Sequence, residues 1–393
     1  MNRSWLACVT VAMLTQGCML GGLHVDQVAT SAQKPSNVAV YMAVTKGDDP
    51  ALGLTEKDFH ILEDGTELSA EQTQQTLLPR DDAAVHRALL LVDMSGPVTE
   101  GETRHQIAMA AARFAARAHV TEPVTVYAFD GGASIRLIAE LPQGVDDVAE
   151  LPQLESYTPA DTSSNLNSAI IESLAQLDAR LMAAQKPLRI GTLVVFARGP
   201  DLAGRVSDAK LSEALDGSKH LMYAISLKDA QGFRAGRVGR TGTFEAEAMT
   251  SLLQVFDKAG ERVANSVAAY YLLSYCTPAR AGQRSVRIRV ATTDPEGKEL
   301  SGSTSTEIDA SGFTSGCDPR QKPRFVSQAA PAAVHDAVEA APPAEEPHAA
   351  TPAPTPAPGK EKPAKGGGKS TNPAPADDDD AVVPPPAKPG YAQ

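Results

Sequence analysis

The chain has 393 residues, with 48 Asp and Glu against 36 Lys and Arg and a formal charge of −12 at pH 7. A hydrophobic share of 42% is enough for a sizeable core, whereas 5% aromatic residues and a single Trp leave little for stacking on bases. The acidic balance argues against a phosphate-backbone binder, so no nucleic-acid partner is expected. A collagen, a disulfide-dense miniprotein and a polytopic membrane protein are likewise excluded.

In chain order, Asn2-Arg3 precedes an uncharged apolar run over residues 5–14, too short to span a bilayer as a mature helix. Leu14-Thr15-Gln16-Gly17-Cys18 follows and resembles a bacterial lipobox, with Thr15 where Leu is usual. The resemblance implies that residues 1–17 are a signal peptide and that Cys18 is lipidated. The mature protein is then an exported lipoprotein of the bacterial cell envelope, on the membrane through its lipid anchor. Met19, rather than Asp, points to the outer membrane by the enterobacterial sorting rule. The other reading is an ordinary secretory signal that contains a Cys. Residues 18–35 are expected to be a tether. With Cys8 lost and Cys18 acylated, Cys276 and Cys317 are an even pair in an oxidising compartment. They predict a disulfide closing about 40 residues, with two buried free thiols as the alternative. No Cys/His spacing suggests zinc.

Residues 37–45 (NVAVYMAVT) alternate like a half-buried strand. Residues 59–65 (FHILEDG) read as a short strand entering an Asp64-Gly65 turn, and residues 68–78 hold a further candidate strand. From Ala88 the pattern changes. Residues 88–93 (ALLLVD) form a continuous apolar run, as in a strand buried on both faces of a parallel sheet. A helix follows with Ile107, Ala111, Phe114, Ala115 and Ala118 on one face. Strands are expected over 124–129 and 134–139, across Asp130-Gly131-Gly132. A helix capped at Ser163-Ser164 presents Leu166, Ile170, Leu174, Leu177 and Leu181. Residues 190–197 are again a doubly buried strand. A helix over 211–217, a strand over 220–227, a helix over 245–263 and a last strand over 269–275 complete the run. The helix over 245–263 has Met249, Leu252, Leu253, Phe256 and Val263 inward. The alternation predicts an α/β fold with a doubly wound, mostly parallel sheet, whose site lies at the carboxyl ends of the strands.

The first of these strands ends in Asp93-Met94-Ser95-Gly96-Pro97. With the surrounding alternation it resembles the von Willebrand factor type A domain over about residues 85–275. In that family the first strand ends D-x-S-x-S, a later loop supplies a Thr, and a further strand ends in an Asp followed by Gly. These residues form a metal-ion-dependent adhesion site (MIDAS), usually for Mg²⁺, and oxygen-only ligands suit a hard cation. Residues 40–64, 269–275 and 285–290 extend the likeness to bacterial exported proteins related to this family, with a short leader, the type A domain and a trailing β segment.

The site departs from the family pattern. Asp93 and Ser95 match its first positions, Pro97 replaces the second Ser, and Ser164 stands in for the Thr. In Phe196-Ala197-Arg198-Gly199, Arg198 occupies the place of the final Asp. At ~4 Å and an effective dielectric of ~20, a unit charge pair is worth ~4 kcal/mol, and a divalent ion doubles it. No cofactor is therefore expected, Mg²⁺ being disfavoured, and Arg198 is expected to pair with Asp93 in its place. Alternatively, Arg198 points to solvent and the loop has merely degenerated. A rival reading is a divalent-metal-dependent adhesin that keeps a partial site of Asp93, Ser95 and Ser164.

Residues 232–242 carry Arg234, Arg237 and Arg240 among glycines. They are expected on the same face, where they would grip a protein or acidic ligand of the cell envelope; the alternative is a mobile, solvated loop. An enzyme is not expected. There is no G-x-S-x-G elbow, and only His86 and His105 lie near the Asp93–Ser95 strand in sequence. The tail contains 16 of the 29 prolines within residues 321–393 and an Asp377–Asp380 run, and it reads as disordered. The expected organisation is a signal peptide over 1–17, a tether over 18–35, a β segment over 36–82, a von Willebrand factor A-like domain over 83–275, a β segment over 276–318 and a tail over 319–393. The two β segments are expected to form a small flanking module in which a hairpin of residues 285–290 and 303–308 pairs with 37–45. The function expected is non-enzymatic binding, adhesion or scaffolding through the loops at the top of the α/β domain.

Overall fold

A computed structural model describes residues 22–47, 49–96, 101–144, 148 and 150–326. The expected signal peptide, Cys18, Pro97 and residues 327–393 lie outside the described residues.

Two antiparallel sheets form a β-sandwich. One has the order β1 (Leu23–Gln33), β2 (Asn37–Lys46), β13 (Tyr270–Cys276) and β6 (Thr76–Leu78), with β3 (Asp49–Pro50) also on β2. The other has the order β15 (Glu299–Asp309), β14 (Gln283–Thr293), β4 (Phe59–Glu63) and β5 (Thr66–Glu67). The even-numbered side chains of β2 (Val38, Val40, Met42, Val44) meet Phe59, Ile61, Val286, Ile288 and Val290 between the sheets. The odd-numbered Ala39 and Tyr41 face the other way, against Ala83, Ala84, Leu188 and Phe325. The alternation in β2 therefore separates two buried faces rather than core from solvent, and most of the strand is buried. Gly302 lets β15 approach β1, since a Cβ there would stand 2.1 Å from the Leu23 carbonyl oxygen.

The α/β layer has the sheet order β12 (Gly242–Ala246), β11 (Leu221–Leu227), β10 (Leu188–Ala197), β7 (Ala84–Asp93), β8 (Val124–Phe129) and β9 (Arg136–Leu141). All its pairings are parallel except the edge pair β8–β9. Leu90, Val92, Val126, Val194 and Phe196 pack on α2 (Gly101–Ala118) and α7 (Leu252–Ala268). Leu89, Leu91, Leu193 and Val195 pack on α4 (Leu166–Ala183) and α5 (Asp208–Gly217) on the opposite face. This is why the strands read as unbroken apolar runs. The described residues also form the one-turn α-helices α1 (Ala70–Thr73), α3 (Pro152–Glu155) and α6 (Ala235–Val238). Among the described residues, no helix is long and apolar enough to cross a membrane.

The structure differs from the sequence reading in several places. Residues 23–33, expected within the tether, form β1, whose pairing with β2 supplies order that its polar composition did not advertise. The strand expected to close the α/β run belongs to the sandwich, because β13 pairs with β2 and β6. The β14–β15 hairpin forms as expected but pairs with β4, not with residues 37–45, because β2 is already flanked by β1 and β13. Glu245 lies in β12, not in a helix, and α7 begins only at Leu252 with Leu253 42% exposed. The 68–78 segment is α1 followed by the short β6. Asn165, not Ser163 or Ser164, precedes α4, and Ser163 Oγ donates to Asp161 Oδ1 at 2.9 Å.

The Cys276–Cys317 disulfide is present and closes 41 residues. The chain after it stays packed through residue 326, within the span expected to be tail. Asn37 Nδ2 donates to the Asp318 carbonyl, Ser31 Oγ donates to the Arg324 carbonyl at 2.8 Å, and Phe325 is buried. These residues, 318–326, form a strap along β1.

Candidate functional site

Because β7 and β10 are parallel neighbours with Val92 opposite Phe196, Asp93 and Arg198 emerge side by side at their carboxyl ends. Asp93 is 1% exposed. Its Oδ1 accepts from the Ser95 amide at 2.9 Å and from Ser95 Oγ at 2.6 Å. Its Oδ2 accepts from the Arg198 amide at 3.0 Å. The Arg198 guanidinium instead reaches the Ser95 carbonyl, with Nη1 donating at 3.0 Å. The expected pairing of Arg198 with Asp93 is therefore made by the main chain, while the side chain binds the turn that Asp93 organises. Burial pushes the Asp93 carboxyl above its usual range. The Ser95 and Arg198 hydrogen bonds and the guanidinium charge oppose that rise. Burial also lowers Arg198, against the favourable charges of Asp93 and Asp229.

Ser164 joins this floor. Its carbonyl accepts from Leu202 and Ala203 amides at 2.8 and 2.9 Å, and its buried Oγ has no protein partner. Asn165 donates Nδ2 to the Gly132 carbonyl at 2.7 Å, leaving Oδ1 buried and unpaired. The Gly96 amide donates to the Thr162 carbonyl at 2.7 Å, tying the loop after β7 to the loop before α4.

Sequence reasoning missed Asp130, at the end of β8. Its Oδ1 accepts from the Gly132 amide at 2.6 Å, and its Oδ2 accepts from the Ala160 amide at 2.7 Å and the Tyr157 hydroxyl at 3.1 Å. Burial, with Asp130 next, pushes the Tyr157 phenol upward. Arg205 was also missed. It donates from Nε and Nη2 to the Gly131 carbonyl at 3.1 and 2.9 Å and lies 3.7 Å from Asp161. The available signal was position: Asp130 follows a buried strand just as Asp93 does, yet Asp130-Gly131-Gly132 reads as a plain turn.

The three loop arginines do not converge on this floor. Because β12 runs parallel to β11, with Gly242 opposite Tyr223, the chain must return to the amino ends of the strands before β12 begins. Arg240 is therefore at the far end of the sheet, donating to the carbonyls of Leu215 at 2.7 Å, His220 at 3.2 Å and Ser218. Arg237 donates to Ser212 Oγ and the Asp208 carbonyl of α5. Both are structural ties. Arg234 remains exposed, two residues after Gly232, which lies against Pro200.

Both Asp93 oxygens are engaged, the expected second carboxylate is a guanidinium, and that cation lies on the Asp93–Ser95 turn. Among the described residues, no group of three or more His, Cys, Asp or Glu is placed to hold a metal. Nor does His86 or His105 form a triad with Ser95. His86 lies on β7 seven residues before Asp93, about 23 Å away at ~3.3 Å per residue, and His105 Nδ1 is 2.7 Å from Glu155 Oε1.

No protein-family model matches the chain, and no curated protein sequence matches it. Solved structures do. A von Willebrand factor type A protein from Catenulispora acidiphila matches at 10% identity and a TM-score of 0.37, over 75% of this chain and 74% of that one. Manganese-loaded Plasmodium vivax TRAP protein matches at 11% identity and a TM-score of 0.34, over 65% of this chain and all of that one. The PilB minor pilin from Streptococcus sanguinis matches at 10% identity and a TM-score of 0.33, over 63% of this chain and 79% of that one. These likenesses are distant, and the assignment to the mixed α/β class rests on the strand order described above.

Proposed function

We propose that this protein is a non-enzymatic binding module of the von Willebrand factor type A kind, serving adhesion or scaffolding through the loops at the carboxyl ends of its parallel strands. The strand order, with one antiparallel edge, and the D-x-S turn at Asp93 support that reading. In this proposal the positive charge of the site is Arg198 rather than a bound ion, and the ligand is an acidic group on a partner protein of the cell envelope. The observation that carries it is the Arg198 contact with both halves of the Asp93–Ser95 turn. Cys18 would anchor the protein as a lipoprotein at the outer membrane.

The test is capture of Asp- and Glu-containing peptides from an immobilised peptide array, with chelator and with Mg²⁺. The reading expects retention that is indifferent to chelator and lost in Arg198→Ala. Retention that requires Mg²⁺ and survives Arg198→Ala contradicts it. The second reading, an adhesin with a partial metal site, draws on two buried oxygens that lack partners, Ser164 Oγ and Asn165 Oδ1.

A further inference from the structure

Away from the sheet ends, the sandwich has a solvent-open cleft of about 310 Å³ with the disulfide in its wall. Both cysteines line it, together with Gln72, Gln74, Arg280 and Gly316. The two sulfurs sit in unlike settings. Cys276 ends β13 and is 7% exposed, whereas Cys317 is half-buried on a loop whose residues 314–316 are exposed. Arg280, in the same wall, turns its Nη1 to the Thr277 and Ala279 carbonyls at 2.7 and 2.9 Å, so a guanidinium is fixed beside the cleft.

We propose that Cys276–Cys317 is a thiol–disulfide exchange site in the folded protein, taking a small dithiol or the dithiol loop of a reductase. A thiolate of the dithiol enters the cleft and attacks Sγ of Cys317, the more exposed of the two cysteines. The bond to Cys276 breaks, and the electron pair leaves on Cys276 as a thiolate, favoured by the Arg280 charge. The second thiol of the dithiol then attacks the mixed disulfide, which frees Cys317 and leaves the dithiol as its own disulfide. Two electrons pass to the protein, and the two protons of the dithiol end on the cysteines.

The consequence lies in the strap. Once Cys317 is free, residues 318–326 are held by a few local contacts. These include the Asn37 bond to Asp318, Gln33 Nε2 to the Lys322 carbonyl at 3.3 Å, the Arg324 amide to Gln33 Oε1 at 3.0 Å, Ser31 Oγ to the Arg324 carbonyl, and the burial of Pro319, Pro323 and Phe325. Exchange thus loosens the point from which the Pro-rich tail departs.

The experiment treats the full chain with dithiothreitol under native conditions. Thiols are trapped by alkylation and read peptide by peptide, with trypsin as a parallel probe. The proposal expects a rate of Cys276 and Cys317 labelling that rises about tenfold over a tenfold range of dithiothreitol and is unmoved by sub-denaturing urea. It also expects a first adduct on Cys317 when glutathione replaces the dithiol, and new tryptic cleavage after Arg320 and Arg324 once the bond is open. Arg280→Gln is expected to slow reduction about threefold, with an unchanged thermal midpoint. A rate that saturates with dithiothreitol and climbs with urea would mean reduction only through global unfolding and would overturn the proposal. So would a first adduct found on Cys276.

Discussion

Acid should destabilise this protein through one buried imidazole at the junction between sandwich and α/β layer. His86 is 6% exposed, its Nε2 lies 2.7 Å from the Tyr41 hydroxyl, and its ring meets that of Tyr270 edge-on at 4.9 Å. Burial, and secondarily the charge of Arg80, lowers its pKa from 6.5 to about 3. The folded-state value is the lower one, so between those limits the unfolded chain binds a proton that the folded chain refuses. The contribution is therefore complete above about pH 6.5 and is lost as pH falls toward 3. At ~1.4 kcal/mol per unit the whole span is worth about 5 kcal/mol, comparable with the entire stability of many domains. His86→Phe keeps an aromatic ring but strands the Tyr41 hydroxyl, at a cost of about 1–3 kcal/mol. Urea denaturation of both proteins from about pH 7 to pH 4 checks this. The wild type should lead at pH 7, and the variant should draw level or overtake by about pH 4, where the wild type has lost roughly 3 kcal/mol through this group. Parallel pH profiles would refute the reasoning.

Other positions give simpler outcomes. Gly302→Val forces a side chain into the Leu23 carbonyl and should cost about 2–4 kcal/mol or prevent β1 from docking; chemical denaturation and amide exchange over residues 23–33 report it. Phe325→Ala should cost about 2–4 kcal/mol by emptying the junction beneath the strap, read as a lower urea midpoint at unchanged slope.

The central strands and the helices on both faces were legible because each is announced by a long apolar run or a clear helical stripe, as in residues 88–93 and in Leu166 to Leu181. What was not legible depended on partners distant in sequence. The residues of β1 (LHVDQVATSAQ) are mixed in polarity, and only pairing with β2 orders them. The residues of β12 (GTFEA) are too short and polar to stand out from the helix that follows. Missing β12 had a functional cost, since without it Arg237 and Arg240 read as part of the binding face. In the site itself, the resemblance to the type A family pointed to Asp93, Ser95, Ser164 and Arg198. It did not point to the role of the Arg198 main chain, because an amide donor leaves no trace in residue type.

Titration calorimetry of the protein with Mg²⁺, Mn²⁺ and Ca²⁺, beside the variants Asp93→Ala and Arg198→Asp, tests the central claim most directly. The account predicts no binding heat for the wild type or for Asp93→Ala, and measurable binding once Arg198→Asp restores the second carboxylate. Micromolar binding by the wild type, abolished in Asp93→Ala, would contradict it.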